Sequence, residues 1–197
     1  MLAAARILLA RTDGLDDARL AYYGEWLSAG ERERTFVRPA RRRQFIAARA
    51  LLRIGLGTML HVPPHAVVLG GRAGSAPWLI APGVPMPGLS VSHSGHWVAC
   101  ALSGDAPLGL DIELPDPARD VAALAEHAFD TATCARLAVL PEDERRRAFH
   151  AAWCGQEARV KLGLEGAACV ELAHPELAIV ICSTVPLRPV LPEMIEL

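Results

Sequence analysis

The chain has 197 residues, 52% of them hydrophobic and 21% charged, with 20 basic against 22 acidic side chains and a formal charge of -2. That balance suits a globular protein whose core stands without disulfides or a structural metal, and it excludes collagen, coiled coil and a disordered chain. It also argues against a duplex-wrapping protein that neutralises phosphates along one face, so no nucleic-acid partner is expected and any basic site has to be local.

The apolar N-terminus carries Arg6 inside the run with no cationic segment ahead of it, so residues 4–10 read as a first strand and not as a signal peptide. Residues 14–38 then show helical periodicity through Leu20, Trp26, Leu27 and Phe36, with Ser28 and Glu31 at capping-box spacing where a helix restarts. Pro39 interrupts the pattern, and residues 41–60 form a long amphipathic helix with Phe45, Ala48, Leu52 and Leu56 on one face, closed by Pro63 and Pro64. Residues 67–88 are broken by Gly and Pro and suit short strands between loops. Strands follow over residues 89–91, 97–102 and 108–114, then helices over 121–129, 131–140 and 143–164. A closing strand over 176–183 precedes a Pro-spaced tail that packs extended.

No apolar run approaches the roughly 20 residues of a membrane helix, so a cytoplasmic protein without a membrane partner is expected. The five cysteines make no CxxC pair, and an odd number suits a disulfide framework poorly, which points to a reducing compartment. The segment RRRQFIAA at residues 41–48 returns as RRRAFHAA at 145–152, each copy opening a long helix. Coincidence in an Arg-rich and Ala-rich chain gives the same pattern; a true repeat gives two similar α+β halves meeting along one interface, where shared sites belong.

Three segments carry chemistry. In LGLDIEL, strand alternation puts Asp111 and Glu113 on one face and Leu110, Ile112 and Leu114 on the other. Two neighbouring carboxylates repel unless one is protonated or a hard cation such as Mg²⁺ lies between them, although an edge strand with a solvated acidic face reads alike. In LSVSHSGHW, Ser92 and His93 stand at a strand end before a tight turn, a setting that offers donors to an anion or simply packs a turn. A Ser-His-Asp hydrolase is disfavoured because Ser92 and His93 are adjacent and no GxSxG occurs. In the third segment Trp153, Glu157 and Lys161 share one helical face, and Lys161 is the only Lys among twenty basic side chains. A surface Glu–Lys pair has the same spacing.

In order, SHSxxW, GLDIE and WxxxEAxxK resemble the 4'-phosphopantetheinyl transferase superfamily, in its surfactin-type branch of fused two-half enzymes. The likeness runs from about Leu27, through LSAGERERTF and RRRQFIAARALLR, to about Gly166. It implies an α+β fold of two similar halves packed as a pseudo-dimer, residues 1–103 and 104–197, with one chain completing the site as a monomer. The implied reaction moves the 4'-phosphopantetheine arm of coenzyme A onto a serine of an apo acyl or peptidyl carrier protein. Carried over by motif, Asp111, Glu113 and Glu157 would ligate Mg²⁺, Glu157 would also be the base, and His93 and Lys161 would act on the phosphates. Ser92 joins His93 against coenzyme A, and Arg49 and Arg53 anchor its nucleotide end, with Arg32 or Arg43 as substitutes.

Two departures stand out: Ser75-Ala76-Pro77 replaces the family's Gly-Lys-Pro, and Gln156 replaces the Lys before the catalytic Glu. Two missing phosphate contacts, each contributing roughly 1.5–3 kcal/mol, would weaken coenzyme A binding by on the order of a hundredfold, with Arg72 offsetting part of it. The alternative is therefore a catalytically weak or silent relative that binds a carrier protein or coenzyme A as an accessory module.

Overall fold

The computed structural model describes residues 2–71 and 76–197, so Arg72 and Ser75 lie outside the described residues. The architecture is α+β. Strand β1 (Arg6–Arg11) turns Leu8 and Ala10 toward one core and Ile7 and Leu9 toward another. Covered on both faces, it reads in sequence as a continuous apolar run. Helix α1 (Asp17–Glu25) is capped by the Asp16 carboxylate, which accepts from Arg19 N, and α2 (Ala29–Arg32) by Glu31, which accepts from Ser28 N at 2.8 Å. Pro39 opens helix α3 (Pro39–Leu60) and does not interrupt it, because the first helical position has no intrahelical partner for an N–H.

Strands β2 (Leu69–Gly70) and β3 (Trp78–Leu79) form a short hairpin, and β4 (Gly88–Ser94) and β5 (Trp97–Ser103) a longer one, turning at Gly95 with φ +54°. After β6 (Leu108–Glu113) come helices α4 (Val121–Ala128), α5 (Thr131–Ala138) and α6 (Glu142–Leu162). The chain ends with β7 (Ala168–Leu172), β8 (Ala178–Ser183) and β9 (Pro192–Met194).

The larger sheets have the orders β4-β5-β1-β9 and β6-β8-β7. Ile7, Leu9, Ala99 and Ala101 of the first meet Leu110, Ile112, Ile179 and Ile181 of the second in one buried cluster, so the sheets lie face to face. Helix α3 covers the far side of the first through Leu51, Leu52 and Leu56, and α6 the far side of the second by setting Cys154 and Ala158 on Val180 and Cys182. The layers run helix, sheet, sheet, helix, and the two helices that open on the RRR segments each lie on their own sheet.

Two features go beyond the sequence pattern. Strand β7, with Ala168, Val170 and Glu171 left partly or fully exposed at the sheet edge, carries no continuous apolar run, and the tail does more than pack extended, since β9 pairs in parallel with β1. The expectation of unpaired cysteines is corrected: the β7–β8 register brings Cys169 and Cys182 together as a disulfide, although nothing in their spacing marks them. Among the described residues no helix is long and apolar enough to cross a membrane.

Candidate functional site

The sheets are sewn together by side chains. On β4 the hydroxyls of Ser90, Ser92 and Ser94 point toward β6 and accept from the backbone amides of Leu110, Ile112 and Leu114 at 2.8, 3.3 and 3.0 Å. Two of them also donate outward: Ser92 Oγ to Asp111 Oδ1 and Ser94 Oγ to Glu113 Oε2, each at 2.7 Å. The alternating serines thus hold both carboxylates of the DxE segment, and Ser92 faces this seam, not an anion-binding cleft as expected.

Alternation on β6 turns Gly109, Asp111 and Glu113 toward α6. Gly109 is required there, because a Cβ would stand 1.9 Å from the Ala158 carbonyl oxygen. That close approach brings Lys161 Nζ to Ser92 Oγ at 3.0 Å, Leu110 O at 3.0 Å and Asp111 Oδ1 at 2.7 Å, which uses all its donors. Glu157 is half-buried one turn before Lys161.

The carboxylates fit a hard cation in one respect. Asp111 is 6% exposed, and its Oδ2 is buried without a hydrogen-bond partner among the described residues, an unpaired carboxylate oxygen of the kind Mg²⁺ takes. In another respect the site is not gathered: among the described residues no three acidic, His or Cys side chains converge closely enough to hold a metal, and the Lys161 ammonium stands on the other oxygen of Asp111.

His93 points the opposite way from the serines on β4, into a cleft of about 580 Å³ between α3, β4 and α6. Its polar rim carries four cations, Arg34, Arg41, Arg49 and Lys161, beside the His93 imidazole, with no carboxylate among the described lining residues. Arg41 Nη1 approaches His93 Nδ1 at 3.0 Å. Desolvation against the cleft wall, then the charges of Arg41 and Lys161, lower the imidazole pKa although Asp111 pulls the other way. Phe36 and Phe45 supply an aromatic floor, with the Arg34 and Arg49 guanidinium groups 4.7 and 5.0 Å from the Phe45 ring centre. A larger cleft, about 1020 Å³, lies between α5 and α6, but Arg136 and Arg159 share it with Asp130, Glu165 and Glu171. Only the first suits a polyanion.

The two anchoring arginines separate. Arg49 lines the cleft while its Nε meets Glu31 at 3.2 Å; burial lowers its pKa to about 10, which leaves it charged at neutral pH. Arg53 is 1% exposed and donates to Glu31, Val67 O and Arg49 O, so it builds the core and presents nothing to a ligand. The named substitutes are also engaged elsewhere, Arg32 with Glu25 O and Arg43 with Leu15 O and Asp17. Arg34 and Arg41, which the sequence reading did not name, are cations that line the cleft. The signal for Arg41 was present, since it lies four residues before Phe45 and eight before Arg49 on one helix face. Of the two departures from the family pattern, Ala76 lines this cleft, whereas Gln156 lines the cleft on the far side of α6.

No protein-family model matches the chain. It is 30% identical to the 4'-phosphopantetheinyl transferase HetI of Nostoc sp. over 159 residues, 80% of this chain and 65% of that one. It is 31% identical to the 4'-phosphopantetheinyl transferase AcpT of Escherichia coli over 121 residues, 61% of this chain and 57% of that one. With the 4'-phosphopantetheinyl transferase ffp of Bacillus subtilis it shares 34% identity over 80 residues, 41% of this chain and 34% of that one. The chain thus spans less than two thirds of the length of each of these relatives.

Proposed function

The chain is a member of the 4'-phosphopantetheinyl transferase superfamily, and from that premise we propose that it moves the phosphopantetheine arm of coenzyme A onto a serine of an apo carrier protein. The observation that carries this is the cleft lined by Arg34, Arg41, Arg49 and Lys161, which borders the seam that holds Asp111 and Glu113. A phosphate-rich ligand fits a site ringed by Arg34, Arg41, Arg49, His93 and Lys161, and an adenine ring fits the Phe36–Phe45 floor.

Asp111, Glu113 and Glu157 would hold Mg²⁺, whose chemistry is to neutralise charge on a pyrophosphate. Glu157 accepts the proton of the carrier serine as its hydroxyl attacks the β-phosphate, and 3',5'-ADP leaves. Arg41 and His93 hold the phosphates from the α3 and β4 side of the cleft. Lys161 binds Asp111 in the free protein and turns to phosphate when the ligand arrives, exchanging one charge-assisted bond for another. The proposed division into α+β halves is residues 1–103 and 104–197 in chain order; the tail strand β9 pairs with β1 of the first sheet.

A second reading, an accessory module that binds coenzyme A or a carrier without transfer, is favoured by Ala76 in the cleft wall and by the complete engagement of Lys161. Mass spectrometry of apo acyl and peptidyl carriers incubated with the protein, coenzyme A and Mg²⁺ separates the two. Transfer shows a phosphopantetheine adduct on the carrier serine; the accessory reading gives tight binding and no adduct.

A further inference from the structure

Among the described residues, strand β7 is the edge of the second sheet and is hydrogen-bonded to β8 alone. Its antiparallel register sets Cys169 opposite Cys182, with a Cα separation of 4.1 Å and the two sulfurs bonded. The surroundings of the two sulfurs differ. Cys182 is fully buried beneath α6, 3.8 Å from the Gly155 carbonyl oxygen. Cys169 is only half-buried and opens on the α5–α6 cleft beside Gln156 and Arg159. Of the other cysteines, Cys100 and Cys154 are buried and Cys134 is half-buried, and all three are free thiols. Burial pushes the Cys100 thiol up to about 12.

We propose that Cys169 and Cys182 form a reversible redox-modification site on the β7 edge that takes two-electron oxidants of the peroxide class. Backbone pairing from Ala168 to Leu172 holds the two sulfurs in reach whether or not they are bonded, so oxidation and reduction need no refolding. The exposed member reacts first. Cys169 sulfur attacks one peroxide oxygen, an S–O bond forms, the O–O bond breaks, and the thiol proton leaves with the other oxygen as water. Cys182 sulfur then attacks Cys169 sulfur; S–S forms, S–O breaks, and a second water leaves with the remaining thiol proton. Two thiols lose two electrons and one peroxide gains them. A dithiol reductant reverses the reaction through a mixed disulfide at the accessible Cys169 sulfur.

The full chain, treated with hydrogen peroxide or dithiothreitol and then alkylated under denaturing conditions, tests this by intact mass and peptide mapping. The expected result is that peroxide removes two hydrogens and links the peptides holding Cys169 and Cys182, while dithiothreitol restores both thiols in the folded protein with an unchanged far-ultraviolet dichroism spectrum. The oxidised form should melt roughly 5–10 °C above the reduced form, the effect of closing one short loop. A Cys169→Ser variant should melt at one temperature under both treatments. A pair that stays reduced in peroxide, resists dithiothreitol until the protein unfolds, or links instead to Cys134 overturns the proposal, as does a redox-dependent melting temperature in Cys169→Ser.

Discussion

Ala76 is where one side chain most directly limits the basic cleft. It lines the cleft beside Pro77, as Arg41 and Arg49 do, and contributes no charge. Replacing Ala76 with Lys should tighten coenzyme A binding by about tenfold, the equivalent of one charge-assisted contact, in a calorimetric titration. Gln156→Lys should leave the affinity unchanged, because that position opens on the other side of α6. Equal effects would mean that the two clefts are not distinct for the ligand. Glu157→Gln should abolish transfer and leave the melting temperature unaltered, since Phe149, Cys154 and Ala158 supply the buried face of the helix. Transfer at the parent rate would remove Glu157 from its role as base. The segments that carry the carboxylates, Lys161 and His93 stand out in the sequence because their motifs are local, and the structure brings Asp111, Lys161 and Ser92 into contact. Ser92 and Arg53 were assigned to the ligand instead, because a sequence does not say which side of a strand or helix meets a partner sheet.

At the scale of elements, the seam between β4 and β6 is a chain of hydroxyls doing what backbone carbonyls do within a sheet. Ser90→Ala leaves the buried Leu110 amide unpaired and should cost about 1–3 kcal/mol in urea unfolding. Ser92→Ala loses the same kind of bond and also removes one hydrogen-bond partner each from Asp111 and Lys161, so its transfer rate should fall by more than that of Ser90→Ala at equal stability. If both variants lose only stability, the seam is structural and does not position the carboxylate. Gly109→Ala should be more damaging than its one carbon suggests, because the Ala158 carbonyl already occupies the space and α6 must move away from β6. Strand β6 and helix α6 were each readable from periodicity and motif. Their contact was not, because it depends on one glycine whose need is visible only once the helix lies on the strand. The β7 strand escaped for a related reason: at a sheet edge its exposed positions carry no apolar pattern.

Across the whole molecule, His150 sets a limit on stability in acid. It is 1% exposed, and both ring nitrogens lack partners among the described residues. Burial first, then the charges of Arg119 and Arg146, lower its pKa, with Asp116 opposing. The folded state therefore binds this proton less readily than the unfolded chain, so stability falls as pH drops below about 6.5, by at most about 1.4 kcal/mol per pH unit for one proton. His150→Phe should remove that part of the slope between pH 7.5 and 5.5, read from melting temperatures; an unchanged slope would assign it to other groups. In the layered order of helix, sheet, sheet and helix, each copy of the RRR segment lies near the start of the helix that covers one sheet. The return of β9 to the first sheet was not foreshadowed, because three residues pairing at a distance leave no periodic trace.

The most direct measurement is a calorimetric titration of coenzyme A into the protein and its Arg41→Ala variant, run beside the carrier-modification assay with Mg²⁺. The basic cleft predicts saturable binding that weakens at least tenfold in the variant, together with a phosphopantetheine adduct on the carrier serine from the parent protein. No detectable binding by the folded parent, or equal affinity in both proteins, would contradict it.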